Sequence, residues 1–262
     1  THLSLRKLQK QLRDANRKME QELALAGKVQ SSFLPGDLPA PEGWQVAAAL
    51  KPARQTSGDF YDVISLPDGR LGLVVADVVD KGVGAALFMT LSWILIRSYA
   101  MEDPAEPQHV LRAVNDRILA EIDTGQFVTV FFGILDPATG TLVYCNAGHP
   151  PPYLYGAQEG DEPRLLTKTG MALGVTDEET WEQATAQLGP GDVLVLYSDG
   201  VTDAESVEGT SFGSERLRAR VGASLGSSAQ EILDAVLTGV REFAHEAVQS
   251  DDVTLMVVIR DP

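Results

Sequence analysis

The sequence predicts an α+β fold: a layered sandwich of antiparallel sheets with helices packed outside. Three observations lead there. Apolar, β-favouring runs are joined by short turns containing Gly, Pro or Asp, as in hairpins rather than strand–helix–strand units. Helical patterns come in two separate pairs instead of alternating with strands. About eight to ten strands are legible, too many for one small sheet and suited to two stacked ones.

Residues 2–33 read as one long helix, with no Pro, a single Gly and many Leu, Gln, Lys, Arg and Glu. Leu5, Leu8, Leu12, Ala15 and Met19 repeat at spacings of 3 and 4, a coiled-coil seam. Glu22 breaks the repeat, and Leu23, Ala26, Val29 and Phe33 resume it after a shift, as in a stutter. The pattern equally fits a single amphipathic helix packed on its own domain. Leu34-Pro35-Gly36 ends the helix. The expected division is therefore a linker helix over residues 1–34 and one domain over 35–262. The chain opens inside a helical pattern without Met, which leads us to expect an upstream sensor domain.

A first strand is expected over 44–50, followed by a hairpin with strands at 60–66 and 71–76. Asp68-Gly69 is a strong turn signal. A two-residue turn there would pair Phe60 with Asp77 and Asp59 with Val78. Alternation would then place the two carboxylates on opposite faces, so their convergence needs Asp59 just ahead of the strand or a bulge. Helices follow at 84–100 and 105–122, then a hairpin with strands at 127–135 and 142–146. Asn146-Ala147-Gly148-His149-Pro150-Pro151-Pro152 reads as a rigid loop. Short strands are marked by Tyr153 and by Leu165 and Leu166. A continuous apolar strand spans 193–197, helices cover 212–221 and 229–247, and a last strand spans 253–259.

Net charge is −16 at pH 7. That disfavours nucleic acid or an anionic membrane as the main partner, since both call for a basic face. No run of 18 apolar residues is present, and residues 85–96 read as a buried helix rather than a membrane span. Cys145 is the only cysteine, so no intrachain disulfide forms and a reducing, cytoplasmic setting is expected.

Four acidic residues sit at strand ends. Asp59 precedes a strand, Asp77 and Asp199 each follow one, and Asp251 precedes the last. In antiparallel sheets the end of one strand lies beside the start of its neighbour, so all four can meet at one edge. Clustered carboxylates repel unless a cation compensates, and hard cations take oxygen ligands.

The motifs, in order, are Leu-Pro-Gly at 34–36, PARQTSGDFYD at 52–62, DVVDKGVGAALFM at 77–89, FVTVFFGILD at 127–136, NAGHPP at 146–151, LYSDGVTDA at 196–204, Phe-Gly at 212–213 and DDVTLMVV at 251–258. This ordered set resembles the metal-dependent, PPM-type protein serine/threonine phosphatases, in the bacterial SpoIIE/RsbU-like branch. The resemblance implies a β-sandwich between helical layers and two divalent cations, Mn²⁺ or Mg²⁺. It implies Asp77 as the bridging ligand, Asp59 and the backbone carbonyl of Val78 at one ion, and Asp199 and Asp251 at the other. Asp252 is the weaker ligand candidate of its pair. By the same resemblance Arg54, five residues before Asp59, is either a substrate-phosphate contact or a solvated loop residue. His149 is either a proton donor or, preferably, a loop brace. One departure is visible: where the family often has Gly and Pro, this chain has Asp80 and Gly84.

The implied activity is hydrolysis of a phosphoserine or phosphothreonine on a regulatory protein, in this branch an anti-sigma-factor antagonist. The alternative is a non-catalytic signalling and partner-binding module on the same fold. A homodimer through the N-terminal helix is a further expectation.

Overall fold

Nearly continuous apolar runs on the central strands leave two faces to cover on each sheet, and the chain covers them in four layers. In a computed structural model, residues 2–104, 106–122, 125–157 and 162–262 are described, side chains from residue 5 onward. The strands are β1 (Trp44–Lys51), β2 (Asp59–Ser65), β3 (Leu71–Val78), β4 (Val128–Asp136), β5 (Thr141–Ala147), β6 (Tyr153–Tyr155), β7 (Arg164–Leu165), β8 (Ala184–Gln187), β9 (Val193–Tyr197) and β10 (Val253–Arg260). They form two antiparallel sheets, ordered β1-β10-β9-β6-β7 and β2-β3-β4-β5-β8. The expected α+β sandwich is what the chain adopts.

Helices α2 (Val83–Glu102) and α3 (Pro107–Glu121) cover the second sheet, and α5 (Gly213–Gly222) and α6 (Ala229–Ala244) cover the first. A short α4 (Asp199–Thr202) follows β9. The core has three parts. Phe60, Ile64, Val74 and Phe132 pack under α2 and α3. Val195, Tyr197, Leu255 and Val257 pack under α5 and α6. Tyr61, Val63, Leu73, Val75, Leu196 and Met256 fill the space between the sheets. Helix α2 is long and apolar enough to cross a bilayer by composition, but it buries Ala85, Phe88, Met89 and Ile96 in the core against α3 and the second sheet.

Sequence reading and structure differ at a few elements. Strand β8 and helix α4 were not anticipated: β8 is a four-residue edge strand, and α4 is a single turn. The last helix stops at Ala244 because His245 takes a positive φ of 52°. Of the helix expected at 105–122, Ala105 lies outside the described residues.

The first helix, α1 (His2–Ser31), answers the open question about its seam. Leu5, Leu8, Leu12 and Met19 are 53–64% exposed, so that half of the helix does not pack on its own domain. The C-terminal end does dock. Phe33 packs at a tilt against Trp93 of α2, with ring centroids 5.6 Å apart. Buried Gln30 brackets Ser57: its amide nitrogen donates to Ser57 O at 2.6 Å, and its oxygen accepts from Ser57 N at 2.8 Å. Gly27 is needed at this contact, since a Cβ there would stand 1.8 Å from Gln55 O.

Candidate metal centre

The β2–β3 hairpin corrects the expected register. Leu66 N donates to Arg70 O and Gly69 N to Leu66 O, and Gly69 has a φ of 85°. This is a three-residue loop closed by a left-handed glycine, not a two-residue turn. The extra residue shifts the pairing by one, so Asp59 faces Asp77 directly. Opposed residues share a face, and this one is the inter-sheet face that also carries Tyr61, Val63, Leu73 and Val75. No bulge near Asp59 is needed.

At this end of the sandwich β3 and β9 finish and β2 and β10 begin. Thr254 of β10 reaches across and donates to Asp59 Oδ2 at 2.6 Å. Ser198, at the end of β9, accepts from Thr254 N at 3.0 Å. Asp199 opens α4. Asp251 pairs with Lys81 at 2.9 Å. The structure thus brings Asp59, Asp77, Asp199 and Asp251 to one edge. Among the described residues no three of these groups already close around a single point. Asp251 is turned to Lys81 and Asp59 to Thr254, as mutually repelling acids would be.

The electrostatics show the strain of that gathering. Burial, then the charge of Asp77, hold the Asp59 carboxyl well above the usual range, against hydrogen bonds from Thr254 and Ser198. Burial, then Asp199, push Asp77 up to about 7. Burial, then Asp251 and Asp203, raise Asp199. Asp203 was not singled out from sequence, although it lies one helical turn beyond Asp199.

The neighbouring acids have other duties. Asp252 accepts from Ala53 N at 2.7 Å, Ser57 Oγ at 2.8 Å and Gly58 N at 2.7 Å, which ties residues 53–58 to the start of β10. Asp62 points to the opposite face of β2 and pairs with Arg97 at 2.6 Å. Gly58 permits the close approach of this loop to the Val78 carbonyl, since a Cβ on it would lie 3.2 Å from that oxygen. Asp80 adopts a φ of 72°, in the left-handed region that glycine takes freely and that Asp is among the residues to tolerate.

A cleft of about 590 Å³ opens beside the acids, lined by Asp77, Asp199, Thr129, His149, Pro150 and Lys168 among others. Arg54 does not line it; its side chain is exposed on the loop before β2. His149 is buried, with Nδ1 2.9 Å from Thr129 Oγ1 and its backbone N–H donating to Asn146 Oδ1 at 2.9 Å. Burial pushes its pKa down to about 3, so the ring is neutral near pH 7. Cys145 is buried and its thiol is pushed up to about 12, which removes it as a nucleophile.

Residues 67–261 match the family described as Stage II sporulation protein E. The chain belongs to the SpoIIE family. Protein IcfG of Synechocystis is 36% identical over 92% of this chain, and phosphoserine phosphatase RsbU of Bacillus subtilis is 29% identical over 95% of it. The chain spans 42% of the length of IcfG and 73% of RsbU. Its fold matches the SiaA PP2C domain of Pseudomonas aeruginosa with a TM-score of 0.82 at 22% identity, covering 95% of this chain and 99% of that one. The fold is thus that of a PP2C domain.

Proposed function

We propose that this SpoIIE-family domain hydrolyses a phosphoserine or phosphothreonine on a regulatory protein, with water attacking phosphorus in the cleft beside Asp77 and Asp199. The direct opposition of Asp59 and Asp77, facing the strand ends that carry Asp199 and Asp251, is the observation that supports it most.

The donor set suits hard divalent cations. It is all oxygen, with Asp59 buried and Asp77, Asp199 and Asp251 half-buried, and burial followed by mutual charge raises the pKa of Asp59, Asp77 and Asp199. Asp59, Asp77 and the Val78 carbonyl would hold one cation, and Asp77, Asp199 and Asp251 the other. Two such ions, Mn²⁺ or Mg²⁺, would lower the pKa of water and offset charge on the phosphoryl oxygens. The chain itself supplies the alignment. Thr254 and Ser198 orient Asp59, and Asp252 fixes the loop ahead of it. His149 and the adjacent prolines shape the cleft wall. No side-chain nucleophile takes part.

The relationship to a phosphoserine phosphatase, RsbU, supports a phosphoserine substrate; the branch suggests an anti-sigma-factor antagonist in the cytoplasm. The exposed seam of α1 supports a role as the connection to an upstream sensor and as a dimer contact. The deciding experiment is manganese-dependent release of phosphate from phosphoserine proteins. Asp77→Asn should reduce it by more than about a hundredfold, beyond the loss typical of outer-sphere changes. A variant with wild-type turnover at saturating manganese would overturn the assignment.

A further inference from the structure

The cleft lined by Asp77 and Asp199 also has a cation in its lining. Lys168 lines it together with Thr167. Among the described residues Lys168 has no carboxylate at ion-pair distance, in a chain whose net charge is −16. It is also no ordinary surface lysine, because the backbone on both sides of it is pinned. Asn146 Nδ2 donates to Leu166 O at 3.2 Å, and Leu166 N donates to Pro152 O at 3.0 Å. Thr169 N donates to Asn146 O at 2.8 Å, and Asn146 N donates to Thr169 Oγ1 at 3.0 Å. Only Thr167 and Lys168 lie between these anchors, and both are exposed. The buried Asn146 side chain also holds the His149 backbone. One asparagine therefore sets the spacing between the loop wall and the lysine wall.

We infer that Lys168 is the substrate-phosphate contact of this cleft. The inference rests on the phosphatase reading and deepens it. A phosphoserine dianion approaching Asp77 and Asp199 meets acidic side chains, and an ammonium in the same lining draws it in and orients it. Lysine does this as a point charge with three donors, which tolerates a phosphoryl group carried on a flexible peptide. Arg54 stands outside this lining.

The test uses the manganese-loaded protein and three probes: p-nitrophenyl phosphate, a phosphoserine peptide with neutral flanks, and inorganic phosphate. Lys168→Gln should raise KM for both substrates by about tenfold with kcat changed far less, as expected for loss of one charge-assisted contact. Lys168→Arg should restore most of it, and manganese affinity and Tm should not move. Phosphate binding followed by calorimetry should weaken by a similar factor, a readout that does not depend on turnover. The inference is overturned by an unchanged KM and phosphate affinity, by an effect confined to the peptide, or by a larger effect of Arg54→Ala. A wild type with no manganese-dependent turnover of any phosphoester would instead remove the phosphatase reading, and phosphate calorimetry would still judge Lys168 separately.

Discussion

Asp59 and Asp77 stand directly opposite each other on β2 and β3, with both side chains on the inter-sheet face. Their opposition depends on a turn at the far end of the hairpin. Gly69, at a φ of 85°, adds the one residue that puts both acids on the same face. A one-residue slip would turn one of them away.

The pH dependence of the metal-free protein should reveal this crowding. Asp59, Asp77 and Asp199 all have folded-state pKa values raised above the unfolded carboxylate range, primarily by burial. Each favours the fold while protonated. That contribution is complete below about pH 4 and is lost as pH rises through the folded values, about 7 for Asp77. Thermal melts in chelator should therefore show Tm falling between pH 5 and 8. Asp77→Asn should flatten the fall, and saturating Mn²⁺ should reverse much of it. A flat Tm profile in chelator would contradict the burial of these acids.

Asp251 and Asp252 should separate by phenotype. Asp252→Ala leaves the Ala53 and Gly58 amides without their acceptor. It should cost on the order of 2–4 kcal/mol in urea unfolding. Asp251→Ala should weaken manganese binding in calorimetry with little loss of stability. Equal effects on stability would show that both serve the fold alone.

Gln30 ties the linker helix to the loop that precedes Asp59. Gln30→Ala strips both partners from the Ser57 backbone, which should cost about 1–3 kcal/mol. It should also lower manganese affinity, because residues 53–58 are then held by Asp252 without the helix. Chemical denaturation and metal calorimetry check the two effects, and an unchanged metal affinity would mean that the helix end is only a strut.

The exposed seam of α1 should pair weakly between two copies. Leu8→Glu/Leu12→Glu should shift a concentration-dependent dimer to monomer in sedimentation velocity. Few heptads contribute, so the wild-type association should be modest. A wild type that stays monomeric at every accessible concentration would reject the pairing.

Much was legible in the sequence. Alternating apolar runs, turn residues and helical periods gave the two-sheet architecture, because they report which faces must be buried. The strand-end positions of Asp59, Asp77, Asp199 and Asp251 followed from the same pattern, since antiparallel pairing brings ends and starts together. Tertiary structure decided what depends on register and on partners distant in the chain. Gly69 selected the turn, and with it the face that Asp59 shares with Asp77, a choice that Asp68-Gly69 alone leaves open between two loop lengths. Thr254, Ser198 and Lys168 gained their places only when separate segments met at one edge. The seam of α1 suited either its own domain or a second copy, and only packing could tell, because an amphipathic pattern records that a face is apolar but not what covers it. Asp252 and Asp251 are adjacent and chemically identical; the donors of residues 53–58 meet one of them and Lys81 meets the other, a distinction fixed by the direction each side chain takes in the folded chain.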